Sequence, residues 1–354
     1  MVANPLAAQA ATFTVHNGES IQAAINAAPA GSTINVEQGV YHENLFIQKN
    51  NIKLVGHNSV LLPADTPTNN LCVQSGSTTS GARLRGSSAP APSGAIYPGI
   101  CVVGQLRNDF SVKQPARDVQ ISGFAIRQFP GEGIFAYGTM AFVVRNDEFG
   151  QNASYGAFTL RSSFITYRDN YAHDNGEAGL YIGESPEANV TVLGNTSTGN
   201  NAEGILFRDS RGGTIAGNTL KGNCIGLLAL DTGAMARGGN VIVRSNSISF
   251  NNKFCEASDE APPNGGLGVG IFGADLVTVR DNTINNNIEQ PGSQFPEGGV
   301  VIIDSSAFGG STPQNNTIKD NSLHGNQPFD IFYDGSGSGN VFTGNTCDTS
   351  NNGA

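Results

Sequence analysis

The sequence predicts an all-β, single-domain solenoid, and three observations support this fold class. The stretch 165–231 repeats one pattern three times: a short β-rich run, an Asn, a polar turn, a second Asn, and a Gly that precedes an aliphatic run ending in an acid. The period is roughly 22 to 25 residues, and self-similarity at a fixed period is typical of a solenoid in which each repeat is one coil. The chain also contains 46 Gly residues and no Trp, as expected for a β protein that is dense in turns.

Asparagine recurs at two corners of the predicted coils. Asn tolerates the left-handed turn conformation, and its amide can hydrogen-bond to the copies above and below it in a stack of coils. We therefore interpret both columns of Asn as structural. The first column is predicted at Asn146, Asn170, Asn195, Asn218, Asn246, Asn282, Asn321 and Asn345, and the second at Asn175, Asn200, Asn223, Asn252, Asn287 and Asn326.

The repeats predict one long domain over residues 12–354, preceded by a tail at residues 1–11. Ser20, followed by Ile21 and Ile25 at helical spacing, predicts a short N-terminal capping helix, because the end coil of a solenoid leaves its core and strand edges unpaired. The run at 31–56, GSTINVEQGVYHENLFIQKNNIKLVG, resembles the opening coil of right-handed parallel β-helix proteins of the pectin-lyase-like class. That resemblance implies a right-handed parallel β-helix and assigns no reaction.

Two insertions interrupt the period, a long loop at 63–100 and a shorter one at 253–267, and cysteines lie in or beside both. Two disulfides are suspected, Cys72–Cys101 and Cys224–Cys255, which leave Cys347 unpaired. This usage suits a secreted protein, although sequence alone does not fix the connectivity. A mature secreted chain and an ordinary N-terminal tail both stay open as interpretations of residues 1–11.

The net charge of -10 disfavours nucleic acid as a partner, because nucleic-acid binding needs a basic surface. No apolar run reaches the roughly 18 residues that a membrane span needs. The sequence therefore predicts a protein that binds no nucleic acid and has no membrane span.

The Gly-led strand of each coil predicts one inward and one outward face, because strand side chains alternate between faces. We number the residues after each Gly from one to five. Position one is aliphatic in nearly every coil, so positions one and three are predicted to point inward and positions two and four outward. The outward face is then also apolar, and it can line a ligand groove, lie beneath the 63–100 loop or form a subunit interface. Exchange of the two faces is a fourth interpretation. The outward residues predicted to bind substrate are Phe135, Tyr137, Phe158, Leu206, Leu228 and Phe272.

The runs RDNYAHDNGEAGLYIGES (168–185) and GNNAEGILFRDS (199–210) resemble the coils of secreted mannuronan C-5-epimerases and their polysaccharide-lyase relatives. The resemblance extends over roughly residues 142–334 and implies action on a uronan. In those epimerases a Tyr-Gly-x-Asp-x-His run supplies an outward Asp and His. The matching run begins with Tyr155 but has Phe158 and Leu160 in place of the acid and the His, so the epimerase Asp/His motif is missing.

Tyr181, Arg208 and Arg161 form the predicted catalytic set. They lie on successive coils, which stack about 4.8 Å apart. A β-elimination on a uronan needs a base for the proton at C5 and a cation for the carboxylate. Tyr beside Arg can act as the base, and Arg binds a carboxylate with two hydrogen bonds. The alternative is that the arginines pair at the surface with Glu184 and Asp209.

Position five carries an acidic column, Glu184, Asp209, Asp231, Asp275 and Asp304. Such acids close turns at strand ends. Stacked carboxylates can also bind Ca²⁺ or form the acid pair of a glycosidase. We therefore add Glu184, Asp209 and Asp231 to the predicted substrate-binding residues. Ca²⁺ is the only cofactor that the sequence suggests, and its ligands are unknown.

These features predict a secreted or extracellular, carbohydrate-active β-helix protein with a polysaccharide as its partner. The most concrete interpretation is a polysaccharide lyase or epimerase-like enzyme that acts on a uronic-acid-containing glycan. One alternative is a glycoside hydrolase that uses the stacked Asp and Glu. Another is a non-catalytic β-helix that uses its apolar outer face for binding or for assembly into a homo-oligomer.

Overall fold

Each repeat of the sequence forms one coil of a parallel β-helix in the computed structural model, which describes residues 10–74, 94–257 and 261–351. The all-β fold class predicted from the repeat is therefore confirmed. Most of the predicted tail, the centre of the 63–100 loop and a small part of the 253–267 insertion lie outside the described residues.

The coils are built from short strands separated by turns. In chain order the strands are β1 (Thr12–Val15), β2 (Thr33–Val36), β3 (Gly39–His42), β4 (Leu45–Ile47), β5 (Lys53–Leu62), β6 (Ile100–Val103), β7 (Gln105–Leu106), β8 (Val112–Gln114), β9 (Ala116–Arg117), β10 (Gln120–Arg127), β11 (Ile134–Tyr137), β12 (Thr139–Arg145), β13 (Glu148–Gly150), β14 (Ala157–Leu160), β15 (Ser163–Arg168), β16 (Tyr171–His173), β17 (Leu180–Gly183), β18 (Val190–Leu193), β19 (Thr196–Thr198), β20 (Glu203–Arg208), β21 (Arg211–Ala216), β22 (Thr219–Lys221), β23 (Ile225–Leu230), β24 (Gly239–Arg244), β25 (Ser247–Ser249), β26 (Leu267–Phe272), β27 (Thr278–Arg280), β28 (Thr283–Asn285), β29 (Gly298–Ile303), β30 (Thr317–Lys319), β31 (Ser322–His324), β32 (Phe329–Tyr333) and β33 (Val341–Thr343). A short 3₁₀ helix spans Ser306–Phe308.

The strands stack into two long sheets. Sheet B has ten strands in the order β4, β6, β11, β14, β17, β20, β23, β26, β29 and β32. Sheet A contains the other strands except β7 and β8, which form a small antiparallel hairpin. Sheet A has two arms, which β5 and β10 join because each of these strands pairs with strands of both arms. Inward Ile, Val and Leu side chains from both sheets form one continuous core. Burial of each such side chain contributes about 1.5–3 kcal/mol.

Asparagine ladders run along the corners of the helix, as predicted. Asn218 shows the pattern: its Oδ1 accepts from the backbone N–H of Asn195 (2.8 Å) and from the Asn195 amide (2.9 Å), and its own amide donates to Asn246 Oδ1 (2.9 Å) and to the carbonyl of Val192 (3.0 Å). Stacked side chains thus satisfy buried backbone groups that would otherwise be costly.

Two members of the predicted columns are wrong. Asn146 is exposed with a φ of 55°, and the next residue, Asp147, is buried and occupies the end of the first ladder. In the second ladder Asn251, rather than Asn252, accepts from Asn223 and donates to Asn287. In both places two adjacent polar residues could occupy the same corner, and the sequence alone does not show which of the two side chains points inward.

The predicted capping helix is confirmed as α1 (Ile21–Ala27). Ser20 is its N-cap and accepts from the backbone N–H of Ala23 (3.1 Å), while Ile21 and Ile25 are buried. Among the described residues, no helix is long and apolar enough to cross a membrane.

Both suspected disulfides are confirmed. Cys72 is bonded to Cys101, which lies on β6 of sheet B, and Cys224 is bonded to Cys255, which lies in the second insertion. Cys347 takes part in neither disulfide.

Candidate functional site

The two faces of sheet B agree with the predicted alternation. Ile134, Leu180 and Ile205 align at position one in register and belong to the fully buried core. Positions two and four form a second apolar cluster on the outer face of the sheet. The outer face of sheet B is therefore apolar. An apolar face of this extent is normally covered by other parts of the protein or by a binding partner.

The coil that contains β26 departs from the prediction. Phe272 was predicted at position two, but Val269 aligns with Leu227 and Val300, so Phe272 occupies position four. Ala274 was predicted to point outward and instead lies in the inner core. The reason is that β26 and its approach contain several Gly residues, and the Gly that starts this coil is Gly268 rather than Gly270.

The N-terminal half of this outer face is a packed aromatic stack. The ring centroids of Phe135 and Phe158 are 5.6 Å apart, and those of Phe158 and Tyr181 are 4.3 Å apart. Tyr181 is 4% exposed. Its ring lies across Gly183, where an added Cβ would come within 2.5 Å of the Tyr181 hydroxyl. The Tyr137 hydroxyl donates a hydrogen bond to the carbonyl oxygen of Phe110 (3.0 Å), which lies at the tip of the β7–β8 hairpin.

The C-terminal half of the face opens into a cavity of about 480 Å³. Its floor consists of Leu206, Leu228 and Leu230 on the outer face of sheet B. Three phenylalanines, which we call the aromatic wall, line one side: Phe272, Phe295 and Phe308. Another side is lined by residues of the second insertion, which we call the side wall: Phe254, Cys255, Glu256, Ala261, Pro262 and Asn264. A volume of this size is in the usual range for small-molecule sites, roughly 300–1,000 Å³.

The titratable residues that line the cavity outside the side wall are Tyr155, Glu177, Glu203 and Arg208. Glu203 and Arg208 lie at the two ends of β20. Arg208 contacts Asp209, with Nε 3.5 Å from Oδ2. Glu177 lies one coil before Glu203, and its backbone N–H donates to the carbonyl of Ser154 (3.0 Å). With Glu256 of the side wall, the cavity thus combines one guanidinium, one phenol and three carboxylates above an apolar floor.

The predicted catalytic set is only partly brought together. Arg208 lines the cavity, and Tyr181 lies beneath Tyr155, with ring centroids 5.1 Å apart. Arg161 does not line the cavity. Its Nε pairs with Glu184 (2.9 Å), and its guanidinium lies over the ring of Tyr137 at 5.8 Å.

Arg161 and Tyr137 also test the idea that a neighbouring cation makes tyrosine a base. Burial raises the pKa of Tyr137, and the opposing effect of Arg161 is smaller. At this pair the cation therefore does not compensate for desolvation of the phenolate.

Four of the predicted substrate-binding residues have structural contacts away from the cavity. Phe135, Phe158 and Tyr137 are packed in the aromatic stack and beneath the hairpin, whereas Leu206, Leu228 and Phe272 do line the cavity. Glu184 pairs with Arg161.

The acidic column closes turns. Asp209 is fully buried and accepts from the backbone N–H (2.7 Å) and the hydroxyl (2.6 Å) of Thr232. Asp231 faces the N–H groups of Gly233 (3.4 Å) and Gly238 (3.3 Å). Hydrogen bonds from Ser306 to Asp304 lower the pKa of that carboxyl.

Asp275 does not belong to this column, because the coil of β26 is displaced by two residues. It pairs with Arg211 (2.5 Å) beside sheet A. Within the described part of the chain, no group of three or more His, Cys, Asp or Glu side chains is placed to hold a metal ion. Ca²⁺ therefore stays an untested prediction.

Tyr155, Glu177 and Glu203 were not among the predicted site residues, although the sequence contains a signal for the two glutamates. Glu recurs one or two residues before the Gly that starts a coil, at Glu132, Glu177, Glu203 and Glu297. Two of these are strongly perturbed: burial raises the pKa of Glu132 to about 7 and that of Glu297 to about 8. Carboxyls with such pKa values are candidates for acid–base roles or for buried structural contacts.

Solved structures with the same fold support this description. The A-module of the mannuronan C-5 epimerase AlgE4 of Azotobacter vinelandii is 18% identical, with a TM-score of 0.59, and the alignment covers 94% of this chain and 96% of that one. A variant of the periplasmic alginate epimerase AlgG is 13% identical, with a TM-score of 0.54, covering 95% and 77%. ORF18 of Geobacillus virus E2 is also 13% identical, with a TM-score of 0.54, covering 94% and 60%. At these identities the likeness concerns the fold alone.

No curated protein matches the sequence. The family model described as the right handed beta helix region matches residues 38–225, 110–258 and 187–354, which together cover most of the chain. The chain belongs to the right-handed β-helix family.

Proposed function

We propose that the protein is a carbohydrate-active enzyme, that the cavity is its active site, and that it acts on a uronic-acid-containing glycan as a lyase or epimerase-like enzyme. One observation carries the proposal: a single cavity is lined by a guanidinium, Arg208, and by three proton-transfer groups, Tyr155, Glu177 and Glu203. Two of the similar solved structures are alginate epimerases by name, which supports the substrate class.

Arg208 is proposed to bind the uronate carboxylate. A guanidinium can donate two parallel hydrogen bonds to a carboxylate, and it stabilises the negative charge that develops there when C5 loses its proton. Asp209 orients Arg208 from below, since it is fully buried and is itself fixed by Thr232.

Tyr155 is proposed as the base, in place of Tyr181. Tyr155 lines the cavity, whereas Tyr181 packs beneath it and acts as a positioning residue. The guanidinium of Arg208, which lines the same cavity, favours the phenolate form of Tyr155. In a lyase reaction Tyr155 takes the C5 proton, the electron pair of that C–H bond forms the C4–C5 double bond, and the C4–O bond breaks. The leaving oxygen then takes a proton from Glu177 or Glu203.

A second function, glycoside hydrolysis, is favoured by a different observation. Glu177 and Glu203 lie on adjacent coils, offset by one residue in register, and both line the cavity. Glycosidases use two carboxyl groups that flank the scissile bond. In a retaining reaction one glutamate attacks the anomeric carbon while the other protonates the leaving oxygen as the glycosidic bond breaks, and water, deprotonated by the second glutamate, then cleaves the glycosyl–enzyme bond.

Secretion is also proposed. Disulfides persist in oxidising compartments, and the chain contains two of them. Because the protein is negatively charged overall, its net charge does not attract anionic glycans. Recognition of the substrate carboxylate is therefore assigned to Arg208 alone.

A glycan panel tests the proposal. Alginate, pectate, other uronans and neutral glucans are incubated with the protein, with Ca²⁺ or with chelator. Ultraviolet absorbance reports unsaturated ends, new reducing ends report hydrolysis, and NMR reports epimerisation. Absorbance or epimerisation on a uronan is the expected result. Reducing ends without absorbance would favour the hydrolase, and no change by any of the three readouts would refute both.

Matched variants assign the residues. Arg208→Gln and Tyr155→Phe should each lower turnover of a uronan by at least about a hundredfold, which is typical of removing a hydrogen-bond donor to the transition state or a proton-transfer group. Arg161→Gln and Tyr137→Phe are the controls, because they remove the same groups on the same face outside the cavity. Equal losses from controls and test variants would indicate a structural effect.

A further inference from the structure

The outer face of sheet B is closed on the N-terminal side of the cavity. Phe135 is 2% exposed and Phe158 is 4% exposed. The β7–β8 hairpin covers the neighbouring Tyr137 through the carbonyl of Phe110. A ligand therefore contacts this face only from Tyr155 onward.

The face is also closed on the C-terminal side by the aromatic wall. The ring centroids of Phe272 and Phe295 are 5.2 Å apart, and those of Phe295 and Phe308 are 5.6 Å apart. Beyond the wall, the outward residues Val301 and Ile303 are buried in the same apolar cluster. A glycan chain that entered the cavity could not continue along the sheet past Phe272.

The side wall is fastened to the coils at several points. The Cys224–Cys255 disulfide ties it to the start of β23. Backbone hydrogen bonds join the two ends of the insertion to the coils, from Lys253 to the carbonyl of Asn223 (3.1 Å) and from Gly266 to the carbonyl of Cys224 (3.0 Å). Lys253 adds a contact from its Nζ to the carbonyl of Gly199 (2.8 Å). The side wall therefore bounds the cavity as a fixed element rather than as a loose loop.

We infer that the cavity is a blind pocket that takes the end of a glycan chain, so the enzyme is exo-acting and releases short products. This inference rests on the proposed function. Tyr155 and Phe272 lie four coils apart, a distance of about 19 Å at strand spacing, which limits the bound part to a short oligosaccharide. The aromatic wall packs against the C–H face of the terminal sugar, and the chain leaves the pocket away from sheet B, because the face is closed at both ends of the cavity.

The mode of attack is tested by measuring viscosity and product formation together on the polymer that the glycan panel identifies. An exo-acting enzyme removes chain ends, so we expect products to accumulate while viscosity stays near its starting value. Short sugars should dominate from the first minutes. A steep fall in viscosity at low conversion would overturn the inference and leave the proposed function standing.

A variant of the aromatic wall makes the test more specific. Phe295→Ala removes the ring between Phe272 and Phe308, and we expect a severalfold larger loss of viscosity per bond broken. Phe250→Ala is the control, because Phe250 is 48% exposed on sheet A and contacts Lys221 instead. Thermal melting of both variants separates a change of mode from loss of the fold. A Phe295→Ala variant that is folded and keeps the wild-type ratio would overturn the inference.

A binding measurement tests the blind pocket independently of the proposed reaction. Calorimetric titration with uronate oligosaccharides, from the disaccharide to the hexasaccharide, should show affinity that stops rising at a short length. This outcome without turnover would support the pocket and refute the proposed chemistry. Affinity that rises steadily up to the hexasaccharide, or no binding at any length, would overturn the blind pocket.

Discussion

Replacement of Asp147 by Asn should stabilise the protein. Asp147 ends the first ladder: its backbone N–H donates to Asn170 Oδ1 (3.1 Å), and its Oδ1 accepts from the N–H of Phe124 (2.8 Å). Its Oδ2 is buried without a hydrogen-bond partner. In the equivalent position Asn170 places its amide nitrogen, which donates to the carbonyl of Val144 (3.0 Å). The ladder therefore has a hydrogen-bond donor at this position in Asn170, whereas Asp147 places the oxygen Oδ2 there.

The magnitude follows from the pKa of Asp147. Burial is the main cause that raises this pKa from 3.8 to about 8, so the folded protein keeps the carboxyl protonated at neutral pH. The unfolded chain loses that proton above about pH 4, and each pH unit between the two pKa values costs about 1.4 kcal/mol of folding free energy. At pH 7 the cost is about 4 kcal/mol. Asp147→Asn removes it, because an amide donates without holding a titratable proton.

The assay is chemical denaturation of wild type and Asp147→Asn between pH 4 and pH 9. For an acid whose pKa is raised by folding, the cost is absent below the unfolded pKa, grows through the window between the two values and is constant above the folded value. The gain in unfolding free energy should accordingly be near zero at pH 4 and largest above pH 8. A gain that does not change with pH, or a loss at pH 7, would refute the reasoning.

Asp330 provides the matched control at the far end of the second ladder. Its two carboxylate oxygens accept from four donors: the backbone N–H and amide of Asn326 and the N–H groups of Asp348 and Thr349, at 2.7–3.2 Å. Asp330→Asn would point an NH₂ group at some of these donors. It should destabilise the fold by about 1–3 kcal/mol, opposite in sign to Asp147→Asn.

Two further predictions concern the disulfides and the buried carboxyl of Glu297. Replacing Cys224 and Cys255 by Ser, or Cys72 and Cys101 by Ser, should cost a similar amount of stability, up to about 4 kcal/mol by loop entropy, because the bonds close loops of 31 and 29 residues. Only the first pair should also weaken oligosaccharide binding in calorimetry, since only that disulfide fastens the side wall. Glu297→Gln should raise the unfolding free energy by about 3 kcal/mol at pH 7 and by little at pH 4.5, because burial raises the pKa of this carboxyl from 4.5 to about 8. Denaturation curves that give the same effect at both pH values would contradict this.

The fold was predictable from the sequence because the repeat itself is the fold. The repeated coils place Asn at two corners and aliphatic residues inside, and these demands appear as a period in the sequence. The predicted residue positions were wrong where neighbouring residues in the sequence are chemically equivalent. Asn251 and Asn252 are chemically identical candidates, and the Gly-rich approach to β26 offers several starts for one coil, which displaced Phe272 and Asp275.

The candidate site was less predictable, because its walls are the parts that do not repeat. Phe295, Phe308 and the residues of the side wall belong to connections between coils, and no period relates them to sheet B. Their positions depend on long-range contacts, such as the Cys224–Cys255 disulfide. Arg208 was identified because it lies within the repeat, and Glu203 was identifiable in the same way from the Glu that recurs before the coil-starting Gly.

The measurement that tests the central claim most directly is the structure of a complex. A Glu203→Gln variant, slowed in turnover, is soaked with a short uronate oligosaccharide. The account predicts a sugar in the cavity with its carboxylate on Arg208 and its terminal ring against Phe272 and Phe295. An oligosaccharide bound elsewhere, for example beside the exposed Tyr171 on sheet A, with an empty cavity, would contradict the account.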